Sequence, residues 1–161
     1  MHNRILSLLS VAAVVLSTAC QNPVGEDKLP PPDPTQVVYA SSLNINLSQF
    51  TKLESGVYIQ DVTVGSGATI ASGDSVAVGY TGWLANGTQF DTNQGSATPF
   101  RFKVGAGQVI DGWEVGVVGM RVGGTRRLVI PSPLAYGRTG SPPSIPSNAV
   151  LVFSVTMAQK F

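Results

Sequence analysis

The chain has 161 residues, 43% of them hydrophobic and 12% charged, with 18 glycines and 11 prolines. That is enough apolar material for one packed domain and an appendage, it excludes a second domain of enzyme size, and it holds more turn-formers than a helical bundle tolerates. Ten Lys and Arg against nine Asp and Glu leave a formal net charge of +1, which supplies no electrostatic footprint for a phosphate backbone, so nucleic acid is not an expected partner.

Residues 1–19 read as an export signal. Arg4 gives a positive start, the run from Ile5 to Leu16 is apolar apart from Ser7 and Ser10, and Ser17-Thr18-Ala19 supplies small residues before Cys20. The run is too short to span a bilayer, which takes about 20 residues. Cys20 is the only cysteine, so no intrachain disulfide can form. Its setting resembles the bacterial lipoprotein signal, in which the cysteine becomes the lipidated first residue. The usual leucine three places ahead is replaced by Ser17, with Leu16 one place earlier. The alternative is an ordinary secretory peptide beside an incidental cysteine. The resemblance implies a protein of the bacterial cell envelope, lipid-anchored to a membrane and facing the periplasm or exterior. Cleavage before Cys20 would also remove His2, the only histidine, and leave no formal net charge.

Residues 20–36 form the expected tether. Five prolines and three acids between Gln21 and Pro34 leave too little apolar surface to offset ordering entropy, and Pro30-Pro31-Pro32 favours an extended segment of about 3.1 Å per residue. In residues 37–50, Leu43, Ile45 and Leu47 alternate with polar residues, a short strand signal or an extended lead-in. No long helical arm precedes the domain, so a monomer is expected.

The compact domain is expected over residues 51–161. Val57 to Val64 and Ser75 to Thr81 are rich in β-branched and aromatic residues and are bounded by Gly65-Ser66-Gly67 and Ser72-Gly73-Asp74, which predicts two strands. Asn86-Gly87 predicts a type I′ hairpin turn between Trp83-Leu84 and Phe90. Phe100, Phe102 and Val104 alternate with Arg101 and Lys103 as a third strand. Asp111 is placed to cap a short helix through Trp113 and Val117. Thr125 to Ile130 and Val150 to Met157 predict two further strands, joined by a loop that five prolines stiffen. The class is α+β: an antiparallel sheet whose apolar face the helix must cover.

Few chemistries are open to these residues. A serine–histidine triad, a zinc site and a cysteine nucleophile all lack their residues once His2 is removed and Cys20 acylated. Asp61, Asp74, Asp91, Asp111, Glu54 and Glu114 are scattered singly, so no metal is expected. Gly105-Ala106-Gly107 has Ile110 where a dinucleotide loop needs its third glycine, and it reads as a turn. No cofactor is expected. What remains is a set of aromatic and aliphatic side chains beside loops, which on periodicity alone reads as core.

Val78-Gly79-Tyr80-Thr81-Gly82-Trp83-Leu84, Gly87-Thr88-Gln89-Phe90-Asp91, Pro99-Phe100-Arg101-Phe102, Val109-Ile110-Asp111-Gly112-Trp113, Ala135-Tyr136-Gly137 and Ile145-Pro146 onward to Phe153 together resemble, in order and spacing, the FKBP-type peptidyl-prolyl isomerases, the macrolide-binding immunophilins. The likeness runs from about Ser55 to Phe161. It implies a curved antiparallel sheet of about five strands wrapped around one short helix, with a pocket between them. By the same resemblance Trp113 floors the pocket, and Tyr80, Phe90, Phe100, Val109 and Phe153 wall it. Ile110 offers its backbone N–H to a ligand carbonyl, Asp91 is the wall carboxylate, the Tyr136 hydroxyl bonds the substrate backbone, and Ile145 belongs to an overhanging loop. Gly79 and Ser141 depart from the family pattern, where histidine and a bulky loop residue are common.

The implied activity is cis–trans isomerisation of X-Pro bonds in exported polypeptides, with macrolides such as rapamycin and tacrolimus as inhibitors. The alternatives are a non-catalytic peptide-binding chaperone and an interaction scaffold using the proline-rich loop from Ser132 to Ser147.

Overall fold

The computed structural model describes residues 30–161. The expected signal peptide and Cys20 lie outside the described residues.

Seven strands form one antiparallel sheet: β1 (Thr51–Lys52), β2 (Tyr58–Thr63), β3 (Ser75–Leu84), β4 (Gln89–Thr92), β5 (Phe100–Lys103), β6 (Thr125–Ile130) and β7 (Leu151–Lys160). The order is β1-β2-β6-β7-β3-β4, and β5 shares the outer edge of β3 with β4. β5 pairs with Ser75 to Val78 and β4 with Thr81 to Trp83, so the two short strands lie end to end along one long one. Five strands were expected; the additions are β1, two residues long, and β4, the returning arm of the hairpin. Among the described residues there is one α-helix, α1 (Asp111–Gly116), which packs against β6.

Period-two alternation divides the central strands between two cores. Leu128 and Ile130 of β6 and Leu151, Phe153, Val155 and Met157 of β7 turn to the face that carries α1, where Trp113 and Val117 meet them. Val129 and Val152 turn to the opposite face with Tyr58 and Val150. The sheet is therefore apolar on both sides, and one short helix covers only one of them.

The other cover is the segment expected to be an extended lead-in. Residues 37–50 contain 3-10 turns at Ser41–Leu43 and Leu47–Gln49, the first ended by Asn44 in the left-handed region and the second capped by the Asn46 side chain. Leu43 is 6% exposed and packs with Val37, Tyr39, Ile45, Leu47 and Phe50 over Tyr58, Val129 and Val152. The packing reaches back into the expected tether: Pro34 is buried in a turn capped by Asp33, and its carbonyl accepts from the Tyr39 hydroxyl at 2.9 Å. The boundaries expected at residues 36 and 50 thus fall inside one packed unit. The alternation of Leu43, Ile45 and Leu47 did mark the inward side chains, but two 3-10 turns and the link between them, not a strand, present them. Leu43→Ala is expected to destabilise the fold by about 2–3 kcal/mol, the cost of a core truncation, as read from chemical denaturation; a loss below about 0.5 kcal/mol, the range of surface substitutions, would mean that the strap is ornamental.

Two local expectations are corrected. The hairpin after β3 is not type I′: only Gly87 has positive φ (+89), the Leu84 carbonyl accepts from the Gly87 N–H at 2.9 Å, and the Leu84 N–H donates to the Thr88 carbonyl at 2.9 Å. This is a longer turn with a glycine bulge, and the ladder shifts register between Gly82 and Trp83. The cap of α1 is Ile110, with no side-chain hydrogen bond, and Asp111 is the first helical residue. Its charge still suits the positive end of the helix.

Candidate functional site

Between α1, the outer end of β3 and the loops after β5 and β6 lies a cleft of about 270 Å³. Trp113 is its floor. Gly112 brings α1 close to the sheet, because a Cβ at that position would overlap the Ile130 side chain. The indole, 4% exposed, is held edge-to-face by Tyr80 at 5.1 Å and Phe153 at 5.3 Å, with Phe102 at 5.8 Å and Phe100 at 6.3 Å. Phe153 in turn meets Phe90 at 5.5 Å and 89°. These last two rings meet over Gly82, where a Cβ would come within 2.7 Å of both. Edge-to-face packing of this kind fixes each ring and leaves the space between them open.

The polar groups are few. The Tyr80 hydroxyl donates to Asp91 Oδ2 at 2.7 Å across the β3–β4 pair. Burial, and then the hydrogen bond to Asp91, push the Tyr80 hydroxyl well above the usual tyrosine range. Tyr136 stands on the rim, 40% exposed, and its hydroxyl is raised by burial and then by the charge of Asp91. Both phenols are therefore neutral donors at any physiological pH. At the opposite lip, Ile110 precedes α1 with an extended backbone (φ −59, ψ 146), and none of the described residues accepts its N–H. The Trp113 Nε1 is buried without a partner among the described residues.

Every pocket residue expected from the sequence lines this cleft except Ile145: Tyr80, Phe90, Asp91, Phe100, Val109, Ile110, Trp113, Tyr136 and Phe153 are all present. Ile145 is 4% exposed in the main core. Its backbone pairs in both directions with Ser141, so the loop closes on itself and the isoleucine turns inward instead of overhanging the cleft. Ser141 contributes to that bridge through its backbone, which any residue could supply. Gly79 has room for a side chain: a Cβ there would lie 3.5 Å from Gln94 Nε2, an ordinary contact, and no positive φ requires glycine.

Gln108 lines the cleft and was missed. Its Oε1 accepts from the Lys103 N–H at 2.7 Å, while its own N–H donates to Glu114 Oε1 at 3.2 Å. The other Glu114 oxygen accepts from the Gly105 N–H. A residue of α1 thus ties down the loop that carries Gln108, Val109 and Ile110. The available signal was contiguity, since Gln108 directly precedes two expected pocket residues.

This arrangement has room for a small apolar ring against Trp113 and has the Ile110 N–H and the Tyr136 hydroxyl available as donors at its lips. A family model described as FKBP-type peptidyl-prolyl cis-trans isomerase matches residues 67–158. A Rhizopus delemar protein named FK506-binding protein 4 is 50% identical over 109 residues, which cover 68% of this chain and 28% of that protein. The chain therefore spans less than a third of the length of that curated relative. Among solved structures, a peptidyl-prolyl cis-trans isomerase from Pseudomonas syringae superposes with a TM-score of 0.62 at 32% identity, over 70% of this chain and 80% of that one. The structure of AtFKBP13 gives 0.64 at 35% identity, over 70% of this chain and 98% of its own. With the aromatic cleft in place on the matched sheet and helix, the chain belongs to the FKBP-type peptidyl-prolyl cis-trans isomerase family.

Proposed function

We propose that this chain catalyses cis–trans isomerisation of X-Pro bonds in exported polypeptides. The observation that carries the reading is the open cleft itself: aromatic rings surround about 270 Å³ of space above Trp113. Rotation about a peptide bond must overcome a resonance barrier of about 18–20 kcal/mol, and X-Pro bonds cross it unaided in tens to hundreds of seconds. The planar amide is more charge-separated than the twisted one. An apolar cleft therefore disfavours the ground state relative to the transition state, while the Ile110 N–H and the Tyr136 hydroxyl hold the carbonyls on either side. Tyr80 and Asp91 form a fixed dipole pair on the wall. A thousandfold acceleration requires only about 4 kcal/mol, and no covalent bond is broken.

The same reading includes lipidation of Cys20 after removal of residues 1–19, a tether ending near Pro34, a monomeric domain and inhibition by rapamycin and tacrolimus. The sequence before Cys20 supports the lipidation, and the family membership supports the macrolide inhibition.

Proline-limited refolding of a substrate protein by the full chain is the test. Catalysis is expected in the wild type, to fall roughly tenfold or more in Tyr136→Phe and Asp91→Ala, as the loss of a transition-state contact of about 1.4 kcal/mol requires, and to be blocked by rapamycin. The rate is also expected to vary little between about pH 6 and 9: both phenols titrate above the usual tyrosine value near 10, so the neutral form and the contacts it makes persist below that value and are lost only as pH rises through the raised pKa. A rate equal to the uncatalysed one would leave a binding module or scaffold. Cys20→Ser is expected to move the protein from the membrane to the soluble fraction.

A further inference from the structure

Between its two short partners, the outer edge of β3 has a gap: β5 pairs as far as Val78 and β4 begins at Thr81. Tyr80 lies in that gap with both backbone polar groups turned toward it, and Asn93, the residue after β4, fills it. Asn93 Oδ1 accepts from the Tyr80 N–H at 2.6 Å, Nδ2 donates to the Val78 carbonyl at 2.9 Å, and the Asn93 backbone N–H donates to the Tyr80 carbonyl at 3.1 Å. The Thr92 hydroxyl donates to that same carbonyl at 2.9 Å.

A carboxamide is planar and carries one acceptor and one donor group, like the peptide unit of a neighbouring strand. Here its oxygen satisfies the Tyr80 N–H, where no strand is present, and its nitrogen reaches the carbonyl of Val78, the last residue that β5 pairs. Serine offers a single oxygen on a shorter side chain in place of the two ends of the carboxamide, and an ionised aspartate would set a carboxylate against the Val78 carbonyl. Asn93 is also two residues from Asp91, so one short segment controls both ends of the Tyr80–Asp91 hydrogen bond: the backbone that carries the phenol and the strand that carries the carboxylate.

We propose that Asn93 is a positioning residue for the cleft, its side-chain amide standing in for a missing strand and setting the Tyr80 hydroxyl on Asp91. Asn93 does not line the cleft and acts only through these two residues. The proposal rests on the isomerase reading, and the experiment separates the two. Wild type, Asn93→Leu, Tyr80→Phe and the double variant of the full chain are compared by proline-limited refolding and by ¹³C NMR of the tyrosine ζ-carbons. Displacement of a supporting element is expected to lower kcat/KM of Asn93→Leu on the order of tenfold, mainly through kcat. The double variant is expected to be no slower than Tyr80→Phe alone, since both changes act on one hydrogen bond. The Tyr80 ζ-carbon resonance is expected to move in Asn93→Leu while that of Tyr136 holds. Asn93→Ser, which keeps a polar group but shortens its reach, gives an intermediate shift and serves if Asn93→Leu does not fold. An Asn93→Leu rate within twofold of wild type, or losses that multiply in the double variant, overturns the proposal. If the wild type shows no catalysis, the isomerase reading fails, and an unmoved Tyr80 resonance then overturns the positioning role by itself.

Discussion

Trp113→Ala is expected to abolish ligand binding and catalysis together and to destabilise the fold by about 3–5 kcal/mol, the range for deleting a buried large aromatic. Few side chains in this protein contribute so much to both. The indole is 4% exposed and touches four aromatic rings, so its removal leaves a cavity in the core and takes the floor from the cleft. The two consequences can be separated. Trp113→Leu keeps much of the apolar volume, so its loss of stability is expected to stay near about 2 kcal/mol, whereas the flat surface against which a prolyl ring would lie is gone and the refolding rate should still drop more than about tenfold. Intrinsic fluorescence gives a direct readout, because Trp83, the other tryptophan, packs with the core on the opposite face of the sheet. Rapamycin should change the emission of the wild type and leave that of Trp113→Leu unaltered. A Trp113→Leu chain that isomerises within twofold of the wild-type rate would remove the indole from the mechanism.

The cleft could be read from the sequence because its residues fall in short motifs at strand ends and at the start of a helix, where local pattern and tertiary position coincide. Phe100 and Phe102 alternate with Arg101 and Lys103, and the pairing of β5 with β3 then places the first at the cleft and the second in the core. Features that depend on contact between distant segments were not legible. The strap over residues 37–50 has no helical period, and its 3-10 turns are held by the Asn46 cap on the second of them and by the apolar second face of the sheet, which exists only once β2, β6 and β7 have paired. Ile145 turned inward because of a hydrogen-bonded bridge to Ser141 that composition does not encode. Asn93 reads as an ordinary turn residue until the gap in β3 is visible. Arg126 is the furthest from its appearance: a charged residue in Thr125 to Ile130, it is 4% exposed, while Arg127 on the other strand face is half-buried and donates to the Asn44 carbonyl.

Arg126→Ala is therefore expected to be among the most destabilising changes outside the aromatic core. Arg126 shares a strand face with Leu128 and Ile130 and is 4% exposed. Its Nε and Nη2 donate to the two Asp61 oxygens at 2.7 and 3.0 Å, and Nη1 donates to the carbonyls of Gly116 and Val118, each at 2.9 Å. Those carbonyls lie at the end of α1, where no following helical turn supplies donors, so the guanidinium ends the helix and joins it to β2. Truncation leaves the Gly116 carbonyl without a donor, at about 1–3 kcal/mol for an orphaned buried group, and strips the packed stem as well. Asp61 is 39% exposed and regains water, which keeps the total near about 3 kcal/mol, the lower end for breaking a buried ion pair. Arg126→Lys should recover only part of this, because an ammonium cannot hold both carboxylate oxygens and both carbonyls. Since α1 carries Trp113, the partly destabilised lysine variant should also bind rapamycin less tightly, although Arg126 does not line the cleft. Urea unfolding with a free-energy loss under about 1 kcal/mol for Arg126→Ala, the worth of an ordinary surface ion pair, would show that the helix is anchored by its apolar contacts alone.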